Sequence, residues 1–500
     1  MALLAGSLWS TAGYLVPVAY TLVGSIVAAR LLGPEGMGKQ SFIAWTALSL
    51  ALLLGDGLSM GVVRFVGERI GAGRPDEARG LFGWALRWEV LAGIVGFAAC
   101  ALLGAVRGEL QAAWLLAGVA CTAITIHNVP AAVLLGSQRF RQSTVPGLLT
   151  GGAGVAATVI VLQAGGGITG MFAVEAVATT VNLVWTLVLA RRVTHELSAT
   201  AQLPATLRRA AARFSLVTTG TVVFGLVVWQ RSEFFFLDRY NAASEIAAYS
   251  VAFAAVAAAQ RVPDGLTNVV MPAIATLFGA RENERLRAGF WRAFRLVTVV
   301  SLPLAAGMIA VGPRTLSFVY GAAYERAGIV LVVLMLAFPL VPIRHLGASL
   351  LLGVGLQGRT VAADAVASAA NVVAAVLLVP RHGAVGAAWA NAIAQVVSFV
   401  AILVLAAPHV RPADVRAGHL ARAGIASAAA GLGGWLGVQA VGGGLGVLAG
   451  VALGAAAYVL VAVPLRALDA DDAAWLAANA GDRLGGVVAR ACRPFLTNAT

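Results

Sequence analysis

Charged residues are scarce in this chain of 500 residues. They make up 11% of the sequence, whereas about 25% is usual for a soluble protein. Hydrophobic residues reach 60%, and the mean hydropathy is +0.87. So few charges exclude a folded soluble domain of this length, because its surface would lack polar groups. A surface that faces lipid is expected instead.

Cysteine and lysine are also rare. The three cysteines, Cys100, Cys121 and Cys492, lie far apart in apolar segments or in the tail, which indicates no disulfide framework. Lys39 is the one lysine among 35 basic residues, so the positive charge is carried by arginine. Residues 1–8 have no basic region before the first apolar stretch, and no cleavable signal peptide is predicted.

Long apolar runs dominate what is present. A helix needs roughly 20 residues to span the hydrocarbon core of a bilayer. We place fourteen spans, near 8–29, 41–63, 82–106, 110–135, 144–163, 168–190, 214–237, 246–274, 291–312, 327–353, 360–379, 383–406, 420–440 and 442–463. The sequence therefore predicts an all-α polytopic membrane protein with about 14 transmembrane helices.

Two segments of the chain are copies of one pattern. Residues 55–87 align without a gap to residues 263–295, with 10 identities in 33 positions. The identical pairs include Asp56 and Asp264, Gly71 and Gly279, Arg79 and Arg287. When the repeat is extended along the chain, each half contains six spans. Six is an even number, so the two halves are expected to be parallel repeats, as in many transporters.

This duplication predicts the domain organisation. An N-terminal six-helix lobe would cover residues 1–200 and a C-terminal six-helix lobe residues 201–410. Two extra helices would occupy 411–463, followed by a tail at 464–500. Loops after even-numbered spans, with the tail, hold 25 of the basic residues and loops after odd-numbered spans hold seven. The excess places these loops and both termini in the cytoplasm.

Ionisable residues inside a membrane usually face a cavity or a partner, so they are the candidate functional residues. In span 8, Arg261, Asp264 and Asn268 fall on one stripe at helical spacing. Arg261 and Asp264 can pair along the helix and help it pack. The alternative is that Arg261 lines a cavity for an anionic substrate, because its planar fork binds phosphate oxygens and stays charged.

Spans 7 and 10 contain further candidates. Arg231 and Glu233 lie near the outer end of span 7 and point to different faces, and either residue can snorkel outward instead of lining a cavity. Arg344 and His345 lie deep in span 10, and span 4 carries a histidine at nearly the equivalent place. A lone buried histidine is either a hydrogen-bonded packing residue or a proton carrier.

Ion coupling has its own candidates, namely Asp56, Glu233, Asp264, Asn371 and Asn391. Asp56 serves either an interhelical hydrogen bond or ion coupling. The two asparagines supply oxygens to a cation or act as interhelical glue. A coupling ion would be Na⁺ or H⁺, and no other cofactor and no metal site is expected.

The arginine-rich loops 64–87 and 281–295 are amphipathic. Arg64, Arg79 and Arg287 are candidates for a gate or for catching a phosphate headgroup. The alternative is that these residues reflect only the cytoplasmic excess of positive charge and its attraction to anionic lipids.

Residues 29–40, Ala-Arg-Leu-Leu-Gly-Pro-Glu-Gly-Met-Gly-Lys-Gln, resemble the signature after helix 1 of the Wzx-type polysaccharide flippases. Residues 231–237 with 247–250 are similar to the junction of helices 7 and 8 in that family. Its superfamily also contains multidrug and toxin extrusion transporters and the lipid II flippase. The resemblance implies two six-helix lobes with alternating access and a cationic cavity. The arginines that would line it here are Arg30, Arg231, Arg261 and Arg344.

In the lipid II flippase, an acid on helix 7 and polar groups on helices 11 and 12 hold a sodium ion. Glu233, Asn371 and Asn391 loosely resemble that set. The resemblance also implies a cargo, an undecaprenyl-diphosphate-linked oligosaccharide, flipped across the cytoplasmic membrane for cell-surface polysaccharide biosynthesis.

The expected partners are this lipid-linked glycan, membrane lipids and the glycan synthesis or polymerase machinery, and no nucleic acid. One alternative function is a cation-coupled multidrug or small-molecule antiporter of the same fold. A second is a membrane glycosyltransferase or glycan polymerase. Short outer loops with few acids argue against an enzyme.

Overall fold

The computed structural model describes residues 2–229, 231–267, 278, 282–410, 417–479 and 495. These residues form helices joined by short turns, with no strand among them. The helices are α1 (Ala2–Gly71), α2 (Pro75–Arg107), α3 (Gln111–Gly136), α4 (Phe140–Gln163), α5 (Gly167–Leu197), α6 (Ala205–Trp229), α7 (Glu233–Tyr240), α8 (Ala243–Thr267), α9 (Asn283–Tyr320), α10 (Glu325–Ala337), α11 (Leu340–Gly353), α12 (Gln357–Val410), α13 (Ala417–Ala440), α14 (Gly443–Ala462) and α15 (Ala470–Asn479).

Eleven segments of the described chain are long and apolar enough to cross a membrane. Two of them contain a glycine with positive φ that interrupts the helix, Gly33 (φ 66°) in α1 and Gly383 (φ 56°) in α12. Each therefore comprises two helices, called here α1N (2–32), α1C (34–71), α12N (357–382) and α12C (384–410). Counting both halves of α1 and of α12 turns the eleven segments into thirteen spans. Helix α13, which pairs with α14, is the fourteenth predicted span. The prediction of an all-α polytopic membrane protein is confirmed.

The chain divides into two compact units. The N-terminal unit contains Met1–Asp238 and Ala242–Ala247, and the C-terminal unit contains Arg239–Asn241 and Ala248–Thr500. The sequence placed a boundary at residue 200, whereas here α6 and α7 belong to the N-terminal unit. The reason is close packing of α6 against α1C, where a Cβ on Gly57 would lie 2.1 Å from Thr219 Oγ1.

The core of the N-terminal unit lies where α1C, α2 and α3 meet. Val62, Leu81, Val133 and Leu134 are at most 1% exposed there. The opposite faces of these helices carry exposed apolar side chains, as in Leu102 of α2. Apolar residues on both faces are typical of helices that pack on one side and meet lipid on the other.

In the C-terminal unit, α13 and α14 form a glycine-rich hairpin that packs against α9. A Cβ on Gly437 would lie 2.6 Å from Gly450 Cα, so the two backbones approach closely because neither residue has a side chain. The Tyr458 hydroxyl of α14 donates a hydrogen bond to the Val299 carbonyl of α9 at 2.8 Å.

Four sequence expectations about helix continuity were wrong. Span 7, predicted as one helix over 214–237, is broken between α6 and α7. Span 10, predicted as one helix over 327–353, divides into α10 and α11 near Pro339, because proline cannot donate a backbone hydrogen bond. The segment 64–87, predicted as a loop, is helical apart from a turn between Gly71 and Pro75. The second predicted loop, 281–295, is helical from Asn283 onward.

Candidate binding and coupling sites

A fully buried carboxyl group lies inside the N-terminal unit. Glu89 of α2 is 0% exposed, and neither of its oxygens has a hydrogen-bond partner among the described residues. Next to it, Asn128 of α3 and Glu89 both border Gly55 of α1C. The neighbouring His127 lies with its Nε2 3.4 Å from Asn182 Nδ2 on α5. The unit therefore contains a polar cluster contributed by α2, α3 and α5.

Asp56, an ion-coupling candidate, borders this cluster. It is half-buried on α1C, adjacent to Gly55. Its backbone carbonyl accepts a hydrogen bond from the Ser59 hydroxyl at 2.9 Å. The structure thus places Asp56, a predicted candidate, beside Glu89. The sequence reasoning had missed Glu89.

In the C-terminal unit a partly buried acid has a basic partner. Arg344 of α11 is 8% exposed and forms an ion pair with Asp364 of α12N. The Arg344 Nε also donates to Ser398 Oγ on α12C at 3.1 Å. This arginine therefore ties three helical segments together, and its charge is matched within the unit.

The repeat-related aspartate of α8 has two polar neighbours. Gln260 Nε2 donates to Asp264 Oδ1 at 3.0 Å, and His345 Nδ1 of α11 lies 3.6 Å from the same oxygen. Arg261 is half-buried on the same helix. Asp264 and His345 thus connect α8 to α11. His345 directly follows Arg344 in the chain. Asn268, a candidate on this stripe, lies outside the described residues.

The break between α6 and α7 centres on Arg231. Its φ is 59°, in the left-handed region, and its guanidinium lies 5.2 Å from the Phe234 ring. Ser232 Oγ donates to the Val227 carbonyl at 2.8 Å, which anchors the turn. Glu233 begins α7 and is fully buried, so it does not snorkel toward water.

The remaining cavity and ion candidates are dispersed. Arg30 lies exposed near the end of α1N. Asn371 is 0% exposed and Asn391 is 5% exposed, on the two halves of α12. Gln395 Nε2 lies 3.5 Å from Asn391 Oδ1, at the long limit of a hydrogen bond. Within the described residues, no group of three or more His, Cys, Asp or Glu side chains could hold a metal ion.

The three gate or headgroup candidates sit on helices. Arg64 is exposed and stacks over Phe214 with 4.9 Å to the ring centroid. Arg79 of α2 donates to the Ser198 carbonyl at 2.8 Å, just after the end of α5. Arg287 of α9 donates to the His409 carbonyl at 3.3 Å, near the end of α12. Arg79 and Arg287, which occupy the same place in the repeat, thus make matching contacts. Each donates to a backbone carbonyl near the end of the last helix of its own repeat.

The tail, whose role the sequence did not assign, contains another buried acid. Asp472 in the first turn of α15 is 0% exposed, 2.6 Å from Arg295 Nε and 3.0 Å from Arg292 Nε of α9. Burial alone would raise the pKa of Asp472, but the hydrogen bonds and charges of Arg295 and Arg292 outweigh it and lower the pKa. Asp471 and Asp472 lie in the first turn of α15, where carboxylates favour the helix N-terminus.

The arrangement of buried charges and apolar spans defines a multi-pass membrane protein. Its residues 27–329 match the family of polysaccharide biosynthesis proteins, and the chain belongs to that family. No curated protein matches the chain.

Solved structures of transporters share the fold. The lipid II flippase MurJ in an inward closed conformation has a TM-score of 0.73 at 13% identity, covering 93% of this chain and 99% of that one. An inward-facing multidrug resistance MATE family transporter has a TM-score of 0.65 at 15% identity, with 79% and 94% covered. A MOP superfamily transporter from Pyrococcus furiosus has a TM-score of 0.59 at 17% identity, with 81% and 95% covered. The expected kinship with MATE-like proteins and lipid II flippases is confirmed at the level of fold.

Proposed function

We propose that the protein flips a polyprenyl-diphosphate-linked oligosaccharide, with undecaprenyl as the polyprenyl group, across the cytoplasmic membrane. The observation that carries the proposal is the family match, which extends over helices of both units. The fold shared with transporters supports it. The cargo would be moved rather than chemically changed, by alternating access.

The cargo presents a physical problem that arginine solves. Two phosphate charges cannot enter hydrocarbon without pairing, because an unpaired buried charge is prohibitively unstable. Arginine binds phosphate oxygens through two parallel hydrogen bonds and stays charged. We assign the first role in diphosphate binding to Arg261, which is half-buried on the polar stripe of α8 that also carries Asp264. Arg231 and Arg30 are further candidates.

The proposed orientation in the membrane follows from the distribution of charge. The arginine excess in loops after even-numbered spans supports cytoplasmic termini, with loading from the cytoplasmic leaflet. Enzymes that build or polymerise the glycan would act before and after this step. Na⁺ or H⁺ would couple the movement, with Asp56, Asp264, Glu233 and the two asparagines of α12 as its candidate ligands.

The experiment measures binding of undecaprenyl diphosphate to the purified protein. Arg261→Ala should weaken binding by about tenfold to a hundredfold, since hydrogen bonds to a charged group contribute about 1.5 to 3 kcal/mol. Arg261→Lys should restore part of the affinity because the charge remains. Arg285→Ala is the matched control, since Arg285 is 76% exposed at the start of α9 and pairs with Glu282. Its affinity should equal that of the wild type.

Two results would contradict the proposal. If the folded wild type does not bind the lipid diphosphate but does bind lipophilic cations, the antiporter is favoured. If Arg261→Ala and Arg285→Ala weaken binding equally, Arg261 has no specific part in recognition.

A further inference from the structure

Glu89 occupies the inward face of α2. That face is otherwise lined by small buried residues at helical spacing, including Ala85, Gly93 and Gly96. On the opposite face, Trp88 is 54% exposed. The carboxyl group therefore enters the interior of the N-terminal unit and does not reach toward lipid.

The groups nearest the carboxyl offer it no hydrogen bond. A Cβ on Gly55 would lie 2.8 Å from Glu89 Oε2 and 3.0 Å from Asn128 Nδ2, so both side chains fill the space in front of that glycine. Thr125 of α3 lies at the same place, but its hydroxyl donates to the Cys121 carbonyl at 2.8 Å. Both Glu89 oxygens remain without a partner among the described residues.

The other titratable groups on the helices packed around Glu89 would not neutralise a negative charge on its carboxyl group. Asp56 of α1C is a second acid, and its field opposes a negative charge on Glu89. His127 of α3 lies beside Asn182. The acids of α5 are Glu175 and, near the end of the helix, Glu196, which lies 3.7 Å from Arg139. Glu89 takes part in no ion pair within the described part of the chain.

An ionised carboxylate is stable inside a membrane protein only where donors or a counter-ion replace water. Glu89 has neither, and a second acid lies close by. We propose that Glu89 is a proton-binding site of the N-terminal unit, neutral in the conformation seen here and deprotonated when that interior opens to water.

The internal duplication shows that packing does not require an acid at this position. The ungapped offset of 208 places Val297 of α9 opposite Glu89 in the C-terminal unit. Val297 is 1% exposed and packs with Leu346 and Leu350 of α11. An apolar side chain fills the equivalent place there, so the carboxyl group of Glu89 adds chemistry that the fold does not need.

The consequence for transport rests on the proposed function. If each cycle opens and closes the interior of this unit, Glu89 gains and loses one proton per cycle. A proton gradient would then drive the cycle in one direction. The class of coupling ion at this site is a proton rather than a metal cation, because one carboxyl group without further oxygen ligands does not form a cation cage.

The first test is infrared spectroscopy of the full-length protein near neutral pH. A protonated buried carboxyl group gives a carbonyl band that ionised carboxylates lack. The band should be present in the wild type, lost in Glu89→Gln and Glu89→Val, and retained in Glu109→Gln, whose carboxylate is 72% exposed. Glu89→Gln keeps the size of the side chain and Glu89→Val copies the repeat. Loss of a band in either variant is interpreted only if that variant elutes as a monodisperse folded protein.

A band that persists in both folded variants, or that disappears only in Asp56→Asn, would overturn the assignment. The second test imposes a pH gradient on vesicles during flipping of a polyprenyl-diphosphate-linked glycan. The gradient should stimulate flipping by the wild type, and this stimulation should be lost in Glu89→Gln. Gradient-stimulated flipping by Glu89→Gln would overturn the coupling role. A Glu89 band without any flipping by the wild type would reject the proposed function and leave the proton site standing.

Discussion

The two units of this protein contain copies of one pattern, but their buried acids differ. In the C-terminal unit, Asp364 pairs with Arg344, which also donates a hydrogen bond to Ser398. In the N-terminal unit, Glu89 is buried without such a match, and its repeat counterpart is Val297. The comparison shows that the duplicated fold retains its packing while its ionisable groups have diverged.

One arginine position that the units share serves structure. Arg79 and Arg287 occupy the same place in the repeat, and each donates to a carbonyl near the end of the last repeat helix of its unit. A cationic side chain at a helix C-terminus satisfies free carbonyls and the helix dipole. Repeat-related residues with matching contacts therefore stabilise the lobes, and residues that differ between them are the better guides to transport chemistry.

The largest effect is expected when the Arg344–Asp364 pair of the C-terminal unit is broken. Arg344→Met leaves Asp364, whose side chain is 13% exposed, inside the unit without this partner and should destabilise the protein by about 3 to 5 kcal/mol. Thermal unfolding in detergent measures the effect. The double variant Arg344→Met with Asp364→Leu should recover most of the loss, because both charges are then removed.

Glu89→Gln is the corresponding change in the N-terminal unit, and it should leave the unfolding temperature unchanged or raise it. If Arg344→Met and Glu89→Gln destabilised the protein equally, the claimed difference between the two buried acids would be wrong.

A smaller effect concerns α15, which lies in the C-terminal unit. Asp472→Asn removes the charge that pairs with Arg292 and Arg295 and should loosen α15 by about 1.5 to 3 kcal/mol. Faster hydrogen exchange over 470–479, with unchanged exchange in α2, would show it. Asp471→Asn is the control, because Asp471 is exposed in the same turn.

The same contact should depend on pH. The folded-state pKa of Asp472 is lowered from its ordinary value of 3.8, so the contact stabilises the docked helix at pH values above 3.8. That stabilisation is lost as the pH falls below 3.8 and through the folded-state pKa. Exchange in α15 that stays constant across this range in the wild type would contradict the assignment.

The smallest effect compares the two repeat-related arginines directly. Arg79→Ala and Arg287→Ala should each destabilise the protein by about 1 kcal/mol, since each loses hydrogen bonds near a helix end. Arg79 should matter more, because it also contacts His195 Nε2 at 3.0 Å. The unfolding temperatures of both variants measure the difference in stability. Limited proteolysis at 198–204 measures local loosening in Arg79→Ala. Loss of lipid-diphosphate binding without loss of stability would instead support a headgroup role.

Much of the fold could be predicted from the sequence, because long apolar runs and a gap-free repeat are strong signals. The fourteen spans were found, whereas the break at Arg231 was missed because no proline or glycine marks it. The left-handed conformation of that residue depends on tertiary contacts that hydropathy does not report.

The candidate sites were harder to predict than the fold. Arg344 was found as an intramembrane charge, but its pairing with Asp364 requires knowing which helices touch. Glu89 was missed because it lies early in an apolar span beside the arginine-rich segment. Its place on a stripe of small residues, four residues after Ala85 and four before Gly93, was the signal that marked it as buried.

The most direct test of the proposed function is flipping of a fluorescent polyprenyl-diphosphate-linked oligosaccharide in vesicles that contain the purified protein. Lipid labelled on one leaflet is followed with a quencher that cannot cross the membrane. We predict protein-dependent flipping that is strongly reduced in Arg261→Ala and normal in Arg285→Ala. Absence of flipping by the folded wild type, in vesicles where it moves lipophilic cations, would contradict the account.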